Sequence, residues 1–438
     1  MADKSLDQKL DLLRANPDAD TFILADAKDA DMAFGIGSPG KSPEAHAGET
    51  RFRSIEEYRD LMRRITHQGL VDIMLMSVSN NYQLNLQERL FEHSHVTPAI
   101  RANDTTDVHL ARGSTYAREA ARPFRTASLD HAQCGHLDCA PEERHLGANL
   151  GLYSVTFNNT LEDDMPTLEA FHRFREEAER KGFQYFLEVF DPNVPGRVPG
   201  DVLSGYLNDM ITRMLAGIAP AGRPRFLKIV YHGRKAVEEL RNYDSSLVVG
   251  ILGGSAGTTF DAFDMLWDAR QAGAKVALYG RKINNAENQL AFIQFLRLIA
   301  DGLIGPTEAV KAYHSVLAKL GIRPNRSLEK DLQRTETSSS YAGTKTSASV
   351  PVAASVAPSL PLSPHTDCGC GCGGSGTCQP KPTPVAASHS SCGCGTDHKV
   401  HHHHGDAKAP ASTSIYPDFT RMTAVERLAY HRKRLGLG

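Results

Sequence analysis

Residues 247–281 read LVVGILGGSAGTTFDAFDMLWDARQAGAKVALYGR. An apolar run, 247–252, is followed by an amphipathic segment, 259–272, and then by a second apolar run, 275–279. Short apolar runs bounded by glycine are typical of buried strands, and the segment between them has the length and spacing of a helix. The stretch therefore predicts a strand–helix–strand unit, in which a crossover helix joins two parallel strands.

The same alternation runs through residues 1–325. Six further apolar runs have the length and composition of strands: 21–27, 71–77, 97–102, 152–158, 185–190 and 226–231. Amphipathic segments lie between most of the runs, among them 54–68, 168–181 and 287–300. Eight strands that alternate with helices predict a (β/α)8 TIM barrel.

The main alternative is an open, doubly wound sheet. In that fold a glycine fingerprint directly follows the first strand. Here the glycines Gly35 to Gly40 lie well beyond Ala27, and Pro39 stands among them. The barrel is therefore the preferred prediction.

Composition and charge exclude several classes of function. The chain has 438 residues and a formal net charge of −2, which gives no electrostatic reason to bind nucleic acid. The amino terminus lacks the apolar core of a signal peptide, and no apolar run approaches the ~18 residues of a membrane span. We expect a cytoplasmic protein without a membrane span.

The chain divides into three parts of different composition. We expect a barrel domain over 1–325, a disordered linker rich in cysteine and histidine over 326–414, and a short amphipathic helix over 415–438. Six cysteines lie in the linker: Cys368, Cys370, Cys372, Cys378, Cys392 and Cys394. Soft thiolates beside histidines bind zinc or copper(I), so we expect adaptable metal binding there, with incidental thiols as the alternative.

The last residues have the signals of one helix. Thr423 and Glu426 form a capping-box pattern, and Gly436 marks the end. A short helix on a long linker resembles the peptides that load enzymes into bacterial microcompartments. We expect it to dock on a shell or partner protein; docking on its own barrel and binding to a membrane surface are the alternatives. We also expect a homo-oligomer.

Lys228 is the leading candidate for chemistry. It lies within an apolar, strand-like run, where desolvation favours the neutral amine. A neutral lysine can form a Schiff base with a carbonyl substrate, although a lysine near a strand end can also simply extend to water. Asp26 and Glu188 end or nearly end two other strands, at the edge where barrel enzymes place catalytic groups. They are candidates for proton transfer, or for structural pairing with Lys228.

The last two strands end in a pattern that favours anion binding. Gly253, Gly254 and Ser255 follow the seventh strand, and Gly280 and Arg281 follow the eighth. The loops after these two strands commonly form the phosphate site of a barrel. Glycine allows close backbone approach, and arginine can bind phosphate with two hydrogen bonds.

These residues resemble those of the archaeal-type (DhnA-type) class I fructose-bisphosphate aldolases and their tagatose-bisphosphate aldolase relatives. The resemblance is carried by 227–231, by 253–255 and by 272–283, and at the level of strand order it extends over most of the barrel. It implies a (β/α)8 fold and a Schiff base on Lys228. It also implies a phosphate held by the two glycine-containing turns, an active-site Asp26, and proton transfer through Glu188.

The chain departs from that family on the fifth strand. Where the archaeal-type enzymes have a tyrosine as proton donor, this chain has Phe190. The expected reaction is cleavage or formation of a carbon–carbon bond in a phosphorylated keto sugar or a related compound, with no cofactor required. The alternative is a non-catalytic barrel that serves as a metal-binding or scaffold protein.

A second cluster lies within the barrel domain, between His131 and Cys139. His131, Cys134, His136 and Cys139 could together bind zinc or iron, but their spacing matches no standard ligand set. A metal ion there would favour metal-assisted chemistry in place of a Schiff base, because a Lewis acid can replace the iminium.

Overall fold

The computed structural model describes residues 3–40, 52–108, 111–254 and 257–336, together with Glu426. Ser255, the six late cysteines and the remainder of the expected terminal helix lie outside the described residues. Within the described ranges, no helix is long and apolar enough to cross a bilayer.

Eight parallel strands close into a barrel, as the sequence predicts. They are β1 (Ile23–Lys28), β2 (Ile73–Met76), β3 (Thr97–Arg101), β4 (Leu150–Thr156), β5 (Gln184–Phe190), β6 (Leu227–Ile229), β7 (Gly250–Leu252) and β8 (Val276–Tyr279). The barrel is closed by pairing of β1 with β8, in a register that sets Ile23 opposite Val276. All eight strands coincide with runs that the sequence predicts, with ends shifted by up to three residues, and the open doubly wound sheet is excluded.

The helices lie mostly between consecutive strands. They are α1 (Ser5–Ala15), α2 (Asp31–Phe34), α3 (Ile55–Gln68), α4 (Val78–Asn81), α5 (Leu129–Gln133), α6 (Leu161–Arg180), α7 (Leu203–Ala216), α8 (Arg234–Tyr243), α9 (Thr259–Gln271), α10 (Arg281–Asn284), α11 (Gln289–Ala300), α12 (Pro306–Lys319) and α13 (Leu328–Asp331). Shorter turns are the π-helical segment Tyr82–Gln87 and the 3-10 turns Gly35–Gly37, Thr106–Val108, Tyr116–Arg118 and Pro220–Gly222.

Strand alternation divides the apolar residues into an inner and an outer layer. Ala25 of β1 packs inside the barrel with Leu75, Leu152 and Phe186. Its neighbour Leu24 packs outside, in the layer between strands and helices. Three leucines of α1 also join the inner cluster, so this helix covers the end of the barrel where the strands begin: Leu6, Leu10 and Leu13.

Helix α6 begins earlier than the sequence pattern indicates. Thr160 caps it by accepting a hydrogen bond from the backbone N–H of Asp163. Pro166 lies inside the helix and has no N–H for the carbonyl of Glu162. The guanidinium of Arg122 donates to that carbonyl instead, at 2.8 Å, which is why the proline is tolerated.

The long connection between β3 and β4 is ordered over its described residues. A two-stranded antiparallel ribbon pairs Asp104–Thr105 with Pro123–Phe124, and α5 follows. The last part of the connection forms a loop that is closed where the N–H of Gly147 donates to the carbonyl of Gln133 at 2.7 Å. A Cβ on Gly147 would stand 2.2 Å from the carbonyl oxygen of Ala132, so only glycine fits this closure.

The folded part continues past the boundary expected at residue 325. Asp331 of α13 accepts a hydrogen bond from the backbone N–H of Thr259 at 2.8 Å. The hydroxyl of Thr258 donates to the carbonyl of Gln333 at 2.7 Å, and Thr335 donates to the carboxylate of Asp261. The segment after α12 thus secures the start of α9.

Gly250 offers a test of the barrel packing. A Cβ at this position would stand 2.4 Å from the carbonyl oxygen of Leu227 on the neighbouring strand. We expect Gly250→Ala to lower the free energy of unfolding by ~1–3 kcal/mol, the usual cost of overpacking. Urea denaturation measures the change.

The control is Gly205→Ala in α7, where an added Cβ meets no atom within 4 Å. Alanine in a helix is favoured over glycine by ~0.5–1 kcal/mol, so this variant should be slightly stabilised. Equal stability of the two variants would contradict the strand packing described above.

Candidate active site

Three polar side chains stand side by side inside the barrel, near the carboxyl ends of consecutive strands. The register sets Ser154 of β4 opposite Glu188 of β5, and Glu188 opposite Lys228 of β6. The ammonium of Lys228 lies 2.5 Å from one carboxylate oxygen of Glu188. The hydroxyl of Ser154 donates to the other oxygen at 2.6 Å. Lys228 is 6% exposed and Glu188 is 2% exposed, so this is a buried ion pair.

Arg101, at the end of β3, extends the pair into a charged network. Its guanidinium reaches Glu188 at 3.6 Å, donates to Asp29 at 2.6 Å and donates to Asp104 at 3.0 Å. Burial lowers the pKa of Arg101, but these three carboxylates outweigh burial and hold the pKa well above its usual range. Arg101 is therefore a fixed positive charge that orders the carboxylates around it.

Asp104 is the carboxyl group of this network whose pKa lies near neutrality. Burial, opposed by Arg101, raises the pKa of its carboxyl group to about 7. Its Oδ2 atom is buried and has no hydrogen-bond partner among the described residues. A carboxyl group with a pKa near neutrality can act as a general acid or base, which makes Asp104 a candidate for proton transfer.

Neither Arg101 nor Asp104 is among the site residues predicted from the sequence. The signal was present, because both residues stand at the carboxyl end of the third predicted strand. The criterion that selected Asp26 and Glu188 would have selected them too.

Asp26 is not part of this site. On β1, Asp26 stands two residues after Leu24, so its side chain points the same way. It therefore faces the helices and not the interior of the barrel. There it forms a fully buried pair with Lys28, with 2.8 Å between Nζ and Oδ2. Burial raises the pKa of Asp26 and lowers that of Lys28. Asp29, which lies beyond the strand end, is the aspartate of this segment that reaches Arg101.

The structure brings together the two turns expected to bind an anion. The N–H of Gly253 donates to the carbonyl of Leu278 at 2.8 Å, so the turn after β7 adjoins the turn after β8. Gly254 has φ +58°, a backbone conformation that favours glycine. The guanidinium of Arg281 lies 5.9 Å from the ring centroid of Phe34, above the ends of β8 and β1. Of the five residues predicted for this site, Ser255 lies outside the described residues.

Gly253 and Gly280 also have a packing role. A Cβ on Gly253 would stand 2.2 Å from the ring of Tyr279, and one on Gly280 would stand 2.9 Å from the carbonyl oxygen of Ala27. Both positions therefore need glycine whether or not an anion binds.

A small apolar cluster lies beyond the charged network, toward the mouth of the barrel. It consists of Val108, Phe190, Val230 and Leu252, all at most 4% exposed. Phe190 and Val230 are each two residues beyond Glu188 and Lys228, so they occupy the next interior layer. This apolar layer keeps water away from the ion pair and strengthens its electrostatic interactions.

No protein-family model matches the chain, and no curated protein matches it. Among solved structures, an archaeal fructose 1,6-bisphosphate aldolase is 13% identical with a TM-score of 0.47, covering 68% of this chain and 100% of that chain. A structure of the Schiff-base-forming fructose-1,6-bisphosphate aldolase is 15% identical with a TM-score of 0.46, at the same coverage. The carboxyl transferase domain of Rhizobium etli pyruvate carboxylase is 9% identical with a TM-score of 0.41, covering 77% of this chain and 54% of that chain.

The environment of Asp104 predicts a pH dependence of stability. Its pKa rises from 3.8 to about 7 on folding, so the folded state binds the proton more tightly than the unfolded state. Stability from this group is therefore present below pH 4 and is lost as the pH rises toward 7. At ~1.4 kcal/mol per pKa unit, the loss amounts to at most ~4 kcal/mol.

Asp104→Asn cannot titrate and should remove this component. We expect the variant to gain stability relative to the wild type between pH 5 and pH 8, as measured by urea denaturation at both pH values. Asp209→Asn, at an exposed position of α7, is the control and should follow the wild type. If Asp104→Asn also follows the wild type at both pH values, Asp104 is ionised in the folded chain.

Proposed function

We propose that the barrel is a class I aldolase-like carbon–carbon lyase with Lys228 as its Schiff-base nucleophile. The observation that carries this proposal is the buried ion pair of Lys228 and Glu188 at the carboxyl-terminal end of the barrel. An amine held against a carboxylate can transfer its proton within the pair and become the free nucleophile. Glu188, then a neutral carboxylic acid, can return the proton.

The reaction can be written with these residues in defined roles. Glu188 takes a proton from the ammonium of Lys228, and the amine attacks the ketone carbon to give a carbinolamine. Protonation of its hydroxyl by Glu188 releases water and leaves an iminium. The iminium draws the electron pair of the bond between the α- and β-carbons as that bond breaks, and a base removes the proton of the β-hydroxyl, whose carbon leaves as the carbonyl of an aldehyde product. Protonation of the resulting enamine at carbon and hydrolysis release the ketone product and restore Lys228.

Asp104 suits the β-hydroxyl proton transfer. It shares Arg101 with Glu188, and its pKa of about 7 allows it to accept and donate a proton near neutrality. Phe190 stands where the archaeal-type enzymes carry a tyrosine, so the chain needs another group for this step. Asp104 supplies a carboxyl group from a different strand end.

A phosphorylated substrate is supported by the two adjoining turns near the mouth. The backbone at Gly253 and Gly254 is free of side chains, and Arg281 lies on the next turn. Glycine N–H groups and a guanidinium can together hold a phosphate and fix the ketone against Lys228. The proposed substrate class is a phosphorylated keto sugar or a related ketone.

The apolar layer favours the second candidate, a non-catalytic barrel. Phe190, Val230 and Leu252 cover the ion pair, and a barrel that binds no substrate would keep its charged network closed in this way. The two functions differ in whether Lys228 reacts with a ketone.

Reductive trapping distinguishes the two functions. The chain is incubated with dihydroxyacetone phosphate, fructose 1,6-bisphosphate or dihydroxyacetone, reduced with borohydride, and analysed by intact mass and peptide mapping. We expect an adduct on Lys228, with higher yield from the phosphorylated ketones because the turns hold the phosphate.

Lys228→Met is the test variant, since methionine keeps the apolar stem of the side chain, and it should lose the adduct. Lys235→Met, at an exposed position of α8, is the control and should keep it. Absence of an adduct with all three ketones, or equal labelling of Lys228→Met and the wild type, would favour the non-catalytic barrel.

A further inference from the structure

The loop that closes the β3–β4 connection holds a cluster of metal-binding side chains. The structure joins Cys134 and Cys139 as a disulfide, and a carboxylate oxygen of Glu143 lies within 4.8 Å of both Sγ atoms. The Nε2 atom of His136 lies 3.4 Å from the carboxylate of Glu143. Three donor side chains thus converge within a loop of ten residues, Cys134 to Glu143, and the exposed imidazole of His136 adjoins the third.

We propose that, when Cys134 and Cys139 are reduced, their thiolates bind one zinc ion together with Glu143 and His136. Zinc takes four ligands of this kind, from thiolate, imidazole and carboxylate, in tetrahedral geometry. Copper(I) prefers soft sulfur ligands, so a carboxylate in the set favours zinc.

The orientation of His136 supports the assignment. Its Nδ1 lies 2.8 Å from the carbonyl oxygen of Leu137, and a carbonyl can only accept, so Nδ1 carries the proton. With zinc bound, the lone pair is then on Nε2, the atom that in the structure pairs with the carboxylate of Glu143. Metal-binding histidines are usually held in this way, with the second ring nitrogen donating to a carbonyl or carboxylate.

The structure pairs the two cysteines as a disulfide, with their Cα atoms 6.0 Å apart, so the zinc site belongs to the reduced chain. Glu143 brings a carboxylate to both sulfur atoms, and His136 brings its imidazole to that carboxylate. Once the cysteines are reduced, two thiolates and a carboxylate stand where they can neutralise and coordinate a cation.

The place of the loop in the fold gives the ion a structural role. The loop leads into the beginning of β4, where the carbonyl of Asn149 accepts from the N–H of Gln184. Lys228 and Glu188 lie near the opposite, carboxyl end of the strands. A zinc ion at Cys134 therefore cannot take part in the chemistry at Lys228, which corrects the expectation that a metal in this cluster would replace the Schiff base.

The test uses the full-length chain with the six late cysteines changed to serine, so that their thiols do not bind metal. The protein is purified under reducing conditions, loaded with zinc chloride and desalted, and its zinc content is measured by mass spectrometry. We expect one zinc ion per chain more than in the same chain with Cys134→Ser and Cys139→Ser added. Removal of this zinc by a chelator should lower the thermal midpoint and leave ketone trapping at Lys228 unchanged.

Glu143 and Glu142 provide a matched pair of variants. Glu143→Gln should weaken zinc binding, measured by competition with a chromophoric chelator, by at least the ~10-fold that supporting residues contribute. Glu142→Gln, at the exposed neighbouring position, should not change it. Equal zinc content with and without Cys134 and Cys139 would overturn the proposal. So would a mass two hydrogens lower in the chain purified under reducing conditions and loaded with zinc, because the pair would then have remained a disulfide.

Discussion

The ion pair of Lys228 and Glu188 is the interaction on which the interior of this barrel depends. Removing two charges from water costs several kcal/mol per ion, and the cost is offset only where the remaining hydrogen-bonding groups are also satisfied. Here Ser154 donates to Glu188, and Arg101 connects the pair to Asp29 and Asp104. Loss of one partner from such a pair costs ~3–5 kcal/mol, so the network is either kept as a whole or replaced as a whole.

The same network accounts for the reactivity that we propose for the site. Neighbouring strands fix the three side chains in register, and the apolar layer above them keeps the surroundings dry. Groups held this way need little reorganisation when charge moves between them, which is the condition that favours proton transfer and nucleophilic attack. The network's rigidity and its proposed reactivity thus have a common cause.

The fold could be predicted from the sequence because buried parallel strands are continuous apolar runs, and each run of this chain is bounded by turns or helices. Lys228 and Glu188 could also be selected, since both stand within such runs. The face of a strand that a residue takes is less evident, because in a barrel both faces are buried. Asp26 was expected inside, but the alternation that begins at Ile23 sends it outward to Lys28.

The position of Asp104 beside a strand end could be predicted from the sequence, but its pKa could not. Its raised pKa depends on Arg101, Asp29 and Glu188, which come from three separate strand ends and meet only in the closed barrel. No local sequence pattern indicates that these three side chains lie together around Asp104. The cluster at Cys134 was visible as a motif, yet only the fold separates it from Lys228, since the loop leads into the beginning of β4.

The most direct test of the central proposal is a crystal structure of the chain after borohydride reduction with dihydroxyacetone phosphate. We expect continuous electron density from Nζ of Lys228 to the former ketone carbon. We also expect the phosphate beside Gly253, Gly254 and Arg281, and Asp104 on the side of the reacting carbon. Density attached to a different lysine, or an unmodified Lys228 still paired with Glu188 in a fully reduced sample, would contradict it.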